Sequence, residues 1–143
     1  MFDDIAGSYD RLNDLMTAGL HHRWREVAVL LAEVEPGSTA LDVCCGTGDL
    51  AFALKRVVGF DGRVVGADIS RKMLEAAREK CGRNQLYVEF READVLALPF
   101  LTAGGQTRGF DACTVGFGIR NVPDMAQAFC EMRRVCRSGG KVV

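Results

Sequence analysis

Two stretches of this sequence hold residue types at spacings that suit chemistry. The first is "GFGIRNVPD", residues 116–124, where an apolar run breaks into Arg120 and Asn121 before Pro123. An arginine in a protein stays protonated, so it stabilises an anion and makes a poor base. The amide beside it offers a neutral hydrogen-bonding group. The plain alternative is that the pair caps the following helix and solvates a surface. The second stretch is "LDVCCGTGDLAFAL", which sets Gly46, Gly48 and Ala51 in a G-x-G-x-x-A pattern around Thr47. Between a strand and a helix, such glycines let backbone approach a ligand with no Cβ in the way. Asp68 follows 20 residues after Gly48, at the end of the next apolar run. A carboxylate there can accept from both hydroxyls of a ribose, or it can cap the helix that opens at Ser70.

Two ligands fit this pattern. A dinucleotide would set its pyrophosphate on the helix N-terminus. S-adenosylmethionine has no phosphate, and Asp49 at the helix start would repel one, which favours the methyl donor. "EADVLALPF" places Asp94 at the end of a third run, positioned to receive an adenine amino group, with Val95 to pack on the ring. The plainer reading of Asp94 is a solvated turn acid. Asp42, ahead of the glycine loop, either holds the loop's backbone or reaches a ligand ammonium.

Strands and helices must position these groups. Trp24, Val27, Ala28 and Leu31 recur at helical spacing, so residues 21–34 predict an amphipathic helix. Residues 39–44 and 63–69 are apolar runs of the kind that parallel strands buried on both sides show. A helix over 49–58 stops at Gly59, and another opens at the N-cap Ser70 and closes at Gly82. Strands are expected over 86–95 and 110–118, joined by "ALPFLTAGGQTRG" as a loop with little helix. Pro123 suits the first turn of a last helix, whose broad apolar face carries Met125, Ala128, Phe129, Met132, Val135 and Cys136. "RSGGKVV" then reads as a helix stop and the start of a fifth strand. The α-β-α-β-α-β-β-α-β order predicts a mostly parallel, Rossmann-like α/β sheet with helices on both faces. A sheet stopping at Val143 leaves an open edge, so the sequence is expected to be part of a longer protein.

Composition narrows the function further. With 48% hydrophobic and 26% charged residues, this is not a disordered chain. A net charge of −1 and no basic run give no case for nucleic acid. The acidic N-terminus "MFDDIAGSYD" lacks a signal-peptide core, so the chain is expected to be intracellular or to have lost a targeting segment. The six cysteines form no C-x-x-C, and no His stands near them at ligand spacing. They read as small buried residues rather than a metal site.

Together these motifs resemble the class I S-adenosylmethionine-dependent methyltransferases, and within them the ubiquinone/menaquinone-biosynthesis C-methyltransferase family. "FDDIAGSYDRLNDLMTAGLHHRWR" is similar to that family's N-terminal signature, with Tyr9, Asp10, Asn13, His21 and Trp24 in register. "LDVCCGTGDLAF" and "GADIS" resemble its donor-binding motifs, and "GFGIRNVPD" its most distinctive one, with Gly116 where a Ser often stands.

The resemblance implies transfer of a methyl group to a ring carbon of a prenylated quinol. It gives donor binding to Gly46, Thr47, Gly48, Asp68, Ile69, Asp94, Val95 and Gly116. Arg120 would stabilise a phenolate or orient a water, Asn121 would bind the quinol oxygen, and His21 or Asp10 would serve as base. Residues 1–35 would form a lid ahead of a donor-binding core over 36–143 that lacks its final strands. A tail-bearing substrate implies work against a membrane surface, from the cytoplasm or an organelle interior. Two rivals stand beside this reading. One is an NAD-type oxidoreductase on the same frame, and the other is a piece that keeps a donor site without a complete pocket.

Overall fold

The computed structural model describes residues 20–101 and 109–143, apart from the side chains of Leu20, His21 and Asn84. Helix α1 spans Leu20–Leu31 and strand β1 spans Thr39–Val43. They are followed by α2 (Asp49–Val58), β2 (Arg63–Asp68), α3 (Arg71–Asn84), β3 (Glu89–Glu92) and β4 (Phe110–Val115). A 3₁₀ turn (Phe117–Asn121), α4 (Met125–Val135) and β5 (Cys136–Val142) complete the order. The five strands form one sheet in the order β3-β2-β1-β4-β5, and every neighbouring pair is parallel. The chain winds outward from β1 to β3, then crosses back to lay β4 on the other side of β1. The C-terminal ends of β1 and β4 therefore flank the point where the winding reverses, where such sheets form their ligand crevice.

The run "TALDV" becomes a strand because both of its faces are covered. Leu41 and Val43 pack with Val65, Ala67, Ala128, Met132 and Val135 on one side of the sheet. Ala40 packs with Phe52, Leu54, Val58, Leu74 and Phe90 on the other. Alternate residues of β1 and β2 thus feed two cores, and no polar face remains. Ser70 caps α3 as expected, its Oγ accepting from Met73 N–H (3.3 Å), and Gly59 ends α2 with φ 71°.

Several expectations change. The third strand pairs only over Glu89–Glu92, rather than 86–95. The fourth ends at Val115, and "FGIRN" coils into the 3₁₀ turn instead of extending to residue 118. Gly82 does not stop α3, which runs to Asn84 and ends on Gln85 in the left-handed region (φ 53°). Asp124, not Pro123, opens α4, its Oδ1 accepting from Gln127 N–H at 2.9 Å. Helix α1 ends at Leu31 rather than at residue 34, and most of its apolar stripe is not buried. Trp24, Val27 and Leu31 are about half exposed, while Ala32 and Val34 just beyond the helix are buried.

The link from β3 to β4 carries no helix among its described residues. Val95, Leu98 and Phe100 nonetheless fill the second core. Helix α4 supplies partners for their backbone. Arg134 donates to the carbonyls of Phe100 and Leu98 (2.8 Å each), and Glu131 Oε2 accepts from Leu98 N–H (2.8 Å). A loop packed against a core needs such partners, because buried main-chain groups left open are costly.

Candidate functional site: the glycine loop and the Arg120–Asn121 turn

The loop after β1 turns sharply. Cys44 (φ 51°), Gly46 (φ 54°) and Gly48 (φ 86°) all take left-handed backbone, which only glycine adopts without strain. The two glycines serve different ends. A Cβ on Gly48 would stand 2.8 Å from the Phe90 ring, so this position is closed by packing of loop on core. A Cβ on Gly46 would meet nothing within 4 Å, and the same holds for Gly116 at the end of β4. The open space lies over the first glycine and beyond the end of β4.

Asp68 braces this loop from the end of β2. Its Oδ2 accepts from Gly46 N–H (2.8 Å) and its Oδ1 from Ser70 N–H (2.9 Å). A carboxylate has about four lone-pair sites, so each oxygen keeps one for a further donor. Ile69, the next residue, is 70% exposed, an unusual place for an isoleucine at a strand end.

For Asp42 the structure selects the first of its two readings. It is 1% exposed, and its carboxylate accepts from Thr114 Oγ1 (2.8 Å) across the β1–β4 pair and from Ala51 N–H in the first turn of α2. Burial, aided by the nearby Asp68 charge, raises its pKa from 3.8 to about 7. Asp42 thus fastens the first turn of α2 to β4.

Asp49 is not a free charge at the helix start. Arg25 of α1 and Lys80 of α3 each hold one of its oxygens at 2.9 Å. Its negative charge is balanced on the spot, so it gives no ground for preferring a donor without phosphate. Thr47 is buried, its hydroxyl accepting from Lys80 Nζ (2.9 Å). Asp94 is exposed and braces its own turn, Oδ1 accepting from Leu96 N–H at 2.9 Å. Val95 turns into the second core at 7% exposure, which leaves its side chain little surface for an adenine ring.

The Arg120–Asn121 turn closes the other side. Gly118 lies so near Cys44 that a Cβ would stand 2.5 Å from that residue's own Cβ. The turn therefore rests on the first residue of the glycine loop. Arg120 and Asn121 are exposed. The Arg120 guanidinium lies over the Phe117 ring, 5.5 Å from its centroid, and Nε donates to the Phe117 carbonyl (3.4 Å). The Phe117 ring meets Trp24 of α1 at 5.3 Å. Asp10 lies outside the described residues, as do Tyr9 and Asn13, and His21 belongs to α1 while its side chain lies outside them. Burial pushes the Cys44 thiol up to about 12 and the Cys45 thiol well above its usual value, so neither is an activated nucleophile. Among the described residues no cluster of His, Cys, Asp and Glu could hold a metal ion, and no helix is long and apolar enough to cross a membrane.

A parallel sheet in this order, with a glycine loop after β1 and an acid closing β2, defines a Rossmann-like methyltransferase fold. A structure titled a putative S-adenosyl-L-methionine-dependent methyltransferase from Methanococcus maripaludis superposes over 99% of the chain and 63% of its own, with TM-score 0.80 at 23% identity. The chain belongs to the ubiE/COQ5 methyltransferase family, whose profile matches residues 1–143. It is 43% identical to a 2-phytyl-1,4-naphtoquinone methyltransferase of Trichormus variabilis, over 99% of the chain and 60% of that protein. It is 42% identical to a demethylmenaquinone methyltransferase of Bacillus cereus, over 100% of the chain and 59% of that protein. The chain thus spans about three-fifths of the length of the curated relatives it matches. Membership in a methyltransferase family sets aside the NAD-type alternative.

Local sequence pointed to Gly46, Gly48 and Asp68. It missed Arg25, Lys80 and Thr114, whose partners lie 24 to 72 residues away. Nothing local marks such pairings. The outward stripe on α1 gave one usable hint, since Trp24 stands at its start.

Proposed function

We propose that this chain carries the donor site and the reacting corner of a methyltransferase that moves a methyl group from S-adenosylmethionine to a ring carbon of a prenylated quinol. The observation that carries the reading is the seating of Gly118 on Cys44. It brings a glycine loop open at Gly46 against the turn that bears Arg120 and Asn121. The names of the relatives, one phytyl-naphthoquinone and one demethylmenaquinone enzyme, support the acceptor class.

The space over Gly46 and the spare acceptor sites on Asp68 suit the donor. Asp68 would take the ribose hydroxyls, Ile69 would cover the adenine, and Asp94 would receive its amino group. Backbone at Gly46, Thr47, Gly48 and Gly116 would line the remainder. When bound, S-adenosylmethionine supplies an electrophilic methyl group, so the protein's task is to make the ring carbon nucleophilic and hold it in line. Loss of a phenolic proton drives charge onto the ortho carbon. Arg120 would stabilise that charge as it forms, or orient the water that takes the proton, and Asn121 would fix the quinol oxygen. His21 and Asp10 remain the candidates for the base.

The test is methyl transfer to a demethylated naphthoquinol bearing a short prenyl tail, followed by mass spectrometry with the full-length protein. A product heavier by one methyl on carbon supports the reading. Transfer to oxygen only, or none to any quinol, overturns it. The same assay on residues 1–143 alone separates a self-sufficient catalyst from a donor-binding part.

A further inference from the structure

We propose that Trp24 is a positioning residue for Arg120, acting through the ring of Phe117; the inference rests on the reading that Arg120 serves the transfer step. Arg120 is exposed, and among the described residues no carboxylate pairs with it. Its described partners both belong to Phe117. They are the ring beneath the guanidinium at 5.5 Å and the carbonyl that accepts from Nε at 3.4 Å. A long, solvated side chain samples many rotamers unless something confines it. Here the confinement comes from one aromatic ring.

That ring has little support of its own. Phe117 opens the 3₁₀ turn, is 45% exposed, and is flanked by Gly116 and Gly118, which offer no side chains to pack against. Gly118 seats the turn's backbone on Cys44 but makes no contact that would hold the Phe117 ring. Trp24 stops it from the side, with ring centroids 5.3 Å apart and planes inclined at 59°. Such tilted contacts between aromatic rings are favourable in themselves. Trp24 is an odd residue to leave 47% exposed on a helix unless this contact uses it.

The helix that carries Trp24 is independently anchored at the donor loop. Arg25, the next residue, holds Asp49 at 2.9 Å. Two successive residues of α1 therefore reach the two halves of the site, Arg25 to the start of α2 and Trp24 to the turn. The start of α1 sets the spacing between the donor loop and the guanidinium. A Trp24 lacking its ring would leave the donor site intact and Arg120 loose.

The experiment is a double-mutant cycle in the full-length protein, read by kcat, KM for a demethylated quinol analogue and donor affinity. Trp24→Leu should lower kcat about three- to tenfold, in line with an aromatic contact, with donor affinity within twofold. Trp24→Phe should recover most of the loss. In the Arg120→Ala background, Trp24→Leu should cost no further kcat, because the residue it positions is gone. Phe117→Leu, at an exposed turn, should repeat the pattern and serves if Trp24→Leu fails to fold. Losses that add in full in the double variant, or a fall in donor affinity in place of kcat, overturn the proposal. If Arg120→Ala itself turns over normally, the reading of the turn fails instead, and the two failures are told apart.

Discussion

Asp42→Asn should abolish a fall in stability that the wild-type protein shows between about pH 4 and pH 7. Asp42 sits in the middle of the sheet, with Gly66 on one side and Thr114 on the other. Burial is the largest influence on it, and the Asp68 charge acts in the same direction; the hydrogen bonds from Thr114 and Ala51 oppose both without balancing them. Its pKa rises from 3.8 to about 7. The folded protein thus keeps a proton that the unfolded chain releases. Stability is unaffected below the unfolded value, declines as pH rises through the interval, and levels off above about pH 7. A rise of about three units, at ~1.4 kcal/mol each, sets an upper figure of ~4 kcal/mol for the whole decline. The amide cannot ionise, so the variant should stay level there. Glu131 works in a separate window. Hydrogen bonds from Arg134 hold its carboxyl below 4.5, so its contribution is lost as pH falls, not as it rises. Urea unfolding at half-unit steps from pH 4 to 8 reads the difference. A wild-type protein that gains stability from pH 5 to 7, or a variant that keeps the decline, would refute the reasoning.

Asp68→Ala should weaken donor binding by about 2–3 kcal/mol, since a charged acceptor is lost and Gly46 N–H loses its brace; calorimetry showing unchanged affinity removes Asp68 from the site. Gly48→Ala should cost roughly 1–3 kcal/mol of stability, because its φ of 86° disfavours a side chain and the new methyl meets the Phe90 ring. Urea midpoints within experimental error of each other would count against that. Of the six cysteines only Cys113 is buried, four are half-buried and Cys130 is exposed, so the expected burial holds for one of them; elemental analysis should still find no stoichiometric metal in the purified protein, and zinc or iron at one per chain would overturn that.

The parts of this fold that depend on neighbours in sequence were legible, and the parts that depend on neighbours in space were not. Ser70 and Gly59 act within a turn of where they stand, so their roles could be read directly, whereas Gly82 does not stop its helix and Gly48 is closed by the Phe90 ring, far off in sequence. The order of the strands could not be read, because nothing in a strand's own residues says that β4 returns to lie beside β1. Apolar spacing on α1 marked a helix but not its inward face, since Trp24, Val27 and Leu31 lie outward and Ala32 and Val34 inward. The apolar run after Val115 looked like more strand, yet Gly116 and Gly118 let it coil against Cys44. At the site, Asp42 kept two readings until Thr114, 72 residues on, appeared across the sheet. Asp49 was misread as an unbalanced charge, because Arg25 and Lys80 come from two other helices.

The most direct test of the account is a paired measurement on Arg120→Ala in the full-length protein. Donor affinity is taken by calorimetry, and methyl transfer to a demethylated quinol analogue by mass spectrometry. The donor contacts proposed above lie mainly on the loops after β1, β2 and β3, while Arg120 stands in the turn after β4. Its charge matters most when the phenolate forms, so its loss should act on the transition state. Turnover should fall by about 2.7–4 kcal/mol, roughly a hundredfold or more, while donor affinity stays within about twofold. Arg120→Lys should recover only part of this, having the charge without the planar fork. Normal turnover in Arg120→Ala would contradict the account, reducing the turn to a helix start and moving the catalytic burden to His21 and Asp10.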